Sequence, residues 1–101
     1  MDWADSAIAK LKDGQEVTVC PKGNSMLPLV KTGDICLISP VTESTVLDKG
    51  DIVLVKVRGS VYLHLVSALR GTDSYQISNN HGHVNGWVHR SSIYGKLTAK
   101  T

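Results

Sequence analysis

Helical spacing of apolar residues marks the start of this chain. Trp3, Ala7, Ile8 and Leu11 fall on one face of a short helix expected over residues 2–13. Asp2 or Asp5 is placed to cap it, Lys10 and Lys12 suit its last turn, and Gly14 suits the position just after it. From Gln15 onward the period shortens to two. Apolar runs at Val17–Cys20, Ile35–Ser39, Ile52–Val57, Val61–Leu69, Tyr75–Ile77, Trp87–Val88 and Ile93–Leu97 read as strands, bounded by Gly, Pro, Asn and Asp. In the fourth run Tyr62, His64 and Val66 share one face, and Val61, Leu63 and Leu65 the other. The pattern predicts one mainly β domain over residues 1–101, with six or seven strands in a β body at 15–98 behind a single helix.

The punctuation between the runs carries more information than the runs. Lys31-Thr32-Gly33-Asp34 and Asp48-Lys49-Gly50-Asp51 each place a Gly-Asp pair before an apolar strand, a partial internal repeat. Glycine reaches positive φ and the aspartate can bond nearby amides, so both aspartates read as turn-formers. Arg58-Gly59-Ser60 is tight enough for a hairpin. Lys22-Gly23-Asn24-Ser25-Met26-Leu27-Pro28 lies between two strands and presents a serine where the backbone must turn; on its own it is also an ordinary strand connection.

Composition narrows the function by exclusion. The chain has 101 residues and a net charge of +2, and no basic cluster is interleaved with stacking aromatics, so nucleic-acid binding is not expected. No run approaches a membrane-spanning length, and Asp2 and Asp5 stand where a signal peptide would carry basic residues. The expected location is the cytoplasm. Cys20 and Cys36 lack a CxxC partner and are expected as buried free thiols, with a disulfide between them left open. No cofactor is called for.

A serine nucleophile needs a base within reach and donors for an oxyanion. His64 is the one histidine inside an apolar strand, a place where structural histidines also occur. His81, His83 and His89 sit on polar segments. The His-x-His spacing without a third ligand does not make a zinc site, and no metal is expected.

Taken in order, Gly23-x-Ser25-Met26-x-Pro28, two Gly-Asp boxes each followed by a strand, a histidine-bearing strand, an Asn-rich turn and Tyr94-Gly95-Lys96-Leu97 resemble the LexA/signal-peptidase superfamily over about Val17 to Leu97. The resemblance implies a coiled, barrel-like antiparallel β fold. It also implies Ser25 as nucleophile and His64 as general base, as in the histidine-type members. The Asn24 and Ser25 turn would supply the oxyanion site, and Met26, Pro28 and Tyr62 would contact substrate. Histidine-type members orient the imidazole with an acidic Gly-Asp-Asn box; the matching segment here is Ile77-Ser78-Asn79-Asn80, so Asn79 and Asn80 become the expected third members. Asparagine can hold a tautomer but cannot stabilise an imidazolium by charge. No Ala-Gly or Cys-Gly bond precedes Ser25, so self-cleavage is not expected. LexA-type relatives dimerise through the terminal strand, which implies a possible homodimer.

Two functions follow. One is a serine peptidase acting on a peptide or protein through a Ser25–His64 dyad. The other is a catalytically inactive member of the fold, a regulatory or protein-binding module of phage or mobile-element type, with Trp87 or Tyr62 at the partner surface.

Overall fold

The computed structural model describes residues 4–101; Asp2 and Trp3, named above in the helix, lie outside them. Helix α1 (Asp5–Lys12) is followed by strands β1 (Val17–Val19), β2 (Cys36–Pro40), β3 (Ile52–Val57), β4 (Ser60–Arg70), β5 (Ser74–Ser78), β6 (Val84–His89) and β7 (Ile93–Lys100). The seven strands form one antiparallel sheet in the order β1-β2-β7-β3-β4-β5-β6. The fold is mainly β with one short helix, as the periodicity implies. The barrel is not closed: β1 and β6 are the edges and do not pair with each other.

The helix ends as its sequence requires and begins differently. Gly14 (φ +83°) follows the C-cap Asp13, its amide bonded to Leu11 O, while the Gln15 amide reaches Lys10 O. That is a Schellman closure, and glycine supplies its left-handed residue. At the other end Ala4 is the N-cap and makes no side-chain cap; Asp5 sits in the first turn instead. Ala4, Ala7 and Leu11 are buried against Val17, Ile38, Leu54 and Leu63. Gly95 makes this packing possible. A methyl group there would collide with Ile38 and lie 3.0 Å from Leu11 Cδ1 and 3.1 Å from the Ser39 carbonyl. The interruption in the last apolar run is thus the seat of the helix.

Alternation along the strands divides the core. Leu54 and Leu63 belong to the helix side, whereas Val53, Val55, Val57, Val66 and Ile77 pack with Leu47, Tyr75 and Ile93 on the other. Arg90 donates to the Tyr75 hydroxyl (3.0 Å) and to the Thr42 (2.6 Å) and Thr45 carbonyls, pinning the polar connection that leads to β3.

The two Gly-Asp boxes fold as one motif. In each, the aspartate amide bonds the carbonyl three residues back, Asp34 to Lys31 (3.0 Å) and Asp51 to Asp48 (3.1 Å). In each, the aspartate Oδ2 accepts the amide of that same residue at 2.8 Å. Gly33 (φ +93°) and Gly50 (φ +98°) occupy the third position, where a turn of this kind requires positive φ. Both carboxylates then meet a lysine of β7: Asp34 with Lys100 at 3.4 Å, Asp51 with Lys96 at 3.3 Å. The Lys31 amide, followed by Lys100, holds the Asp34 carboxyl below its ordinary value against the opposing effect of burial. These aspartates are turn-formers and do not reach the serine.

The cysteines are both free but unlike each other. Cys36 is buried, and burial raises its thiol pKa; Cys20 lies past the end of β1 and is exposed, contrary to the expectation of two buried thiols. The β1 run is one residue shorter than its apolar pattern suggests, which leaves Cys20 on the connection to the serine turn.

Candidate active site

Strand β4 carries the imidazole. It leaves β3 through the two-residue turn Arg58-Gly59, both at positive φ (+50° and +86°), the geometry that matches strand twist in a tight hairpin. Register then pairs Val57 with Ser60, Val55 with Tyr62 and Val53 with His64. Tyr62 and His64 therefore share a face, and their rings stack with centroids 4.7 Å apart and an interplanar angle of 24°.

The serine turn comes up against this face from the other side. Ser25 Oγ lies 3.1 Å from His64 Nε2, and His64 Nδ1 lies 2.7 Å from Asn85 Oδ1. An amide oxygen can only accept, so the ring proton resides on Nδ1 and leaves Nε2 as the acceptor of the serine hydroxyl hydrogen. That is the tautomer a general base requires. His64 is 6% exposed. Its pKa lies below the ordinary histidine value, first because burial disfavours the charged ring; His83 adds to the lowering, and the Asn85 hydrogen bond opposes it. The neutral ring is accordingly favoured.

The serine turn is closed only in part by its own bonds, from the Val30 amide to the Met26 carbonyl (3.0 Å) and between Gly23 and the Thr32 hydroxyl. Asn80 donates its backbone amide to the Ser25 carbonyl (2.9 Å) and its side-chain amide to the Leu27 carbonyl (2.8 Å). The His81 ring nitrogen Nε2 donates to the Asn24 carbonyl at 2.8 Å. Three carbonyls in the Ser25 turn are thus fixed by one loop between β5 and β6. Asn79 shapes that loop, with its Oδ1 accepting the amides of His81 (2.8 Å) and His83 (2.9 Å). The Leu27–Pro28 peptide is cis.

The asparagines expected behind the imidazole are therefore elsewhere. Asn79 braces its own loop, Asn80 clamps the serine turn, and Asn85 on β6 occupies the position beside Nδ1. Asn85-Gly86 has the composition of a turn but lies inside β6, where the register shifts opposite Ile77 and Ser78. The available signal was weak: no Asp or Glu follows Asp73, which makes the asparagines of this stretch candidates for the third member without choosing Asn85 among them.

The remaining expected contacts separate. A cavity of about 370 Å³ opens beside Ser25 and His64, with Met26, Val30, Tyr62 and Leu63 in its walls. Met26 and Tyr62 thus border the space a substrate would fill; Pro28 is exposed and does not line it. Among the described residues the Ser25 amide makes no hydrogen bond within the chain, whereas the Asn24 carbonyl also accepts from the Leu27 amide at 3.2 Å. His83 and His89 are exposed, and among the described residues no three His, Cys, Asp or Glu side chains gather as a metal site.

A hydroxyl, an imidazole and an amide in line, mounted on an open antiparallel sheet, are the parts of a Ser–His centre with an uncharged third member. The chain belongs to the Peptidase S24-like family, whose model matches residues 3–97, within the LexA/signal-peptidase superfamily. No curated protein matches the chain.

Proposed function

We propose that this protein is a serine peptidase that hydrolyses a peptide bond through Ser25 and His64. The observation that carries the proposal is the continuous line Ser25 Oγ–His64 Nε2 at 3.1 Å and His64 Nδ1–Asn85 Oδ1 at 2.7 Å. As Oγ attacks the substrate carbonyl carbon, its proton passes to Nε2. The imidazolium then returns that proton to the amide nitrogen as the C–N bond breaks, leaving an acyl-serine. Water repeats the cycle, giving its proton to Nε2, forming the new C–O bond and restoring the serine hydroxyl as the acyl–Oγ bond breaks. The Ser25 amide is the donor offered to the oxyanion. Asn85 orients the ring and stabilises the imidazolium by its dipole alone.

The sheet offers a place for the substrate backbone. Pairing with β3 alternates, with the Val66 amide on Asp51 O continuing the series of hydrogen-bonded pairs at 57/60, 55/62 and 53/64. The amides and carbonyls of Val61 and Leu63 consequently point away from β3, and β5 covers that edge only from Leu65 onward. A peptide can add there as a strand, ending beside Ser25.

The uncharged Asn85 favours a second reading, a binding module that keeps the groove and has given up the chemistry. A fluorophosphonate probe separates the two. Wild-type protein is expected to be labelled at Ser25, with labelling lost in Ser25→Ala and His64→Ala. A folded wild-type protein that stays unlabelled at high probe concentration selects the binding module.

A further inference from the structure

The cavity beside Ser25 is asymmetric in charge as well as in position. None of its walls comes from the Asn79–Asn85 side; it lies wholly toward β1 and the open edge of β4. Two of its residues, Lys22 and Lys31, carry positive charge, and no carboxylate lines it. Neither lysine forms an ion pair among the described residues, whereas Lys96 and Lys100 are both engaged by the Gly-Asp turns. The nearby carboxylate, Asp34, is turned to the Lys31 amide and the Lys100 ammonium and does not face the cavity. Beneath the lysines the walls are apolar: Met26, Val30 and Leu63 are 4%, 3% and 6% exposed. Since the chain as a whole carries only +2, this pairing of an apolar floor with two cations outside any ion pair, Lys31 being offset only in part by the Asp34 carboxylate, is a local property and not a reflection of overall charge.

We infer that the groove takes an acidic peptide segment, with an apolar side chain seated among Met26, Val30 and Leu63 and carboxylates meeting Lys22 and Lys31. The inference rests on the peptide-hydrolysis reading for the identity of the site and adds the substrate class. Because both lysines lie on the same side of the nucleophile, the acidic preference applies to one side of the scissile bond only. A cavity of about 370 Å³ is at the small end of ligand sites, which suits one apolar side chain with its neighbours better than a long buried stretch. Exposed cations of this kind contribute modestly to affinity and more to the choice between partners.

The test uses three fluorescent eight-residue peptides with one shared apolar core, flanked on one side by Glu, Gln or Lys. Binding is measured to full-length Ser25→Ala protein, where chemistry is absent, and hydrolysis to wild type. The expected order is Glu over Gln over Lys, with a Glu-to-Lys ratio of roughly 3–10-fold. The ratio should shrink at 0.5 M salt as screening shortens to a few ångströms. Lys22→Glu/Lys31→Glu should reverse the order without changing the folded signal, since both side chains are exposed. A peptide with Ser in place of the apolar core should lose binding whatever its charge. Hydrolysis or binding without the charge order overturns the inference and leaves the dyad reading standing. Ordered binding to Ser25→Ala with no hydrolysis by wild type does the opposite. Absence of binding by all three peptides at millimolar concentration overturns the inference.

Discussion

The turns before β2 and β3 and the turn that carries Ser25 solve the same problem in opposite ways. Each Gly-Asp turn closes on itself: the aspartate side chain and amide bond one residue three places back, and glycine absorbs the bend. The serine turn has local bonds too, but it is fixed against the sheet by the side chains of Asn80 and His81, 53 and 57 residues from their partners in the chain. A self-closed turn sets where a strand begins. A turn fixed from a distance sets where an atom sits relative to another element, and that placement is complete only once the element has docked. Ser25 is placed by the same β5–β6 segment that leads into Asn85, so both partners of the imidazole are referred to one piece of the structure.

Breaking the pair at its centre should give the largest effect. Ser25→Ala is expected to lower peptide hydrolysis by at least about 10³-fold, read as kcat/KM, with an unchanged melting curve. Next is the clamp. Asn80→Ala removes the bond to the Leu27 carbonyl and should cost about 10–100-fold in kcat through a misplaced Oγ, with KM little changed, since a small misplacement of a reacting group is enough for that loss. The contrast is with Asp51→Ala, which should leave kcat alone.

Asn85→Asp sharpens the comparison from the other side. A carboxylate beside Nδ1 should stabilise the imidazolium and raise kcat/KM by about tenfold. The sign of its pH effect is fixed. In wild type burial lowers the His64 pKa, so the acid limb of the kcat/KM profile falls below the ordinary histidine range of about 6.5. The carboxylate raises that pKa, and the limb should move to higher pH. The same lowered pKa means that His64 contributes stability above its unfolded-state pKa and that this is lost as pH falls through the folded value, because the unfolded chain binds the proton more readily.

The smallest effects belong to the self-closed turns. Asp51→Ala should cost about 1–2 kcal/mol, the sum of a charged hydrogen bond to the Asp48 amide and a partly exposed pair with Lys96, lowering Tm by roughly 4–16 °C without altering the pH profile. Gly95→Ala belongs here too: overpacking against Ile38, Leu11 and the Ser39 carbonyl should cost about 1–3 kcal/mol in thermal denaturation.

This division explains what could be read from the residues alone. Gly33-Asp34, Gly50-Asp51, Arg58-Gly59 and Gly14 announce themselves because the bonds that shape their turns close within four or five positions. The helix face and the alternation that puts Tyr62 beside His64 are legible for the same reason. Asn85 was not, since Asn-Gly is turn chemistry by composition and only the register of β6 against β5 keeps it in a strand. The clamp on the serine turn was hidden likewise; three carbonyl partners belong to residues whose local sequence speaks only of a loop. Cys20 was misjudged because an apolar run does not say which residue ends the pairing. Strand order was the least accessible, because no periodicity tells that β7 goes between β2 and β3.

That insertion has a consequence for how the molecule is made. β1 and β2 form one paired part, β3 to β6 form another, and among the described strands only β7 pairs with both. During synthesis the keystone emerges after the arch it must join, together with Lys96 and Lys100, which secure the two aspartate turns. The nascent chain must therefore hold two half-sheets with bare inner rims apart until its final strand arrives, and that interval is when a neighbouring chain could stitch itself into the gap.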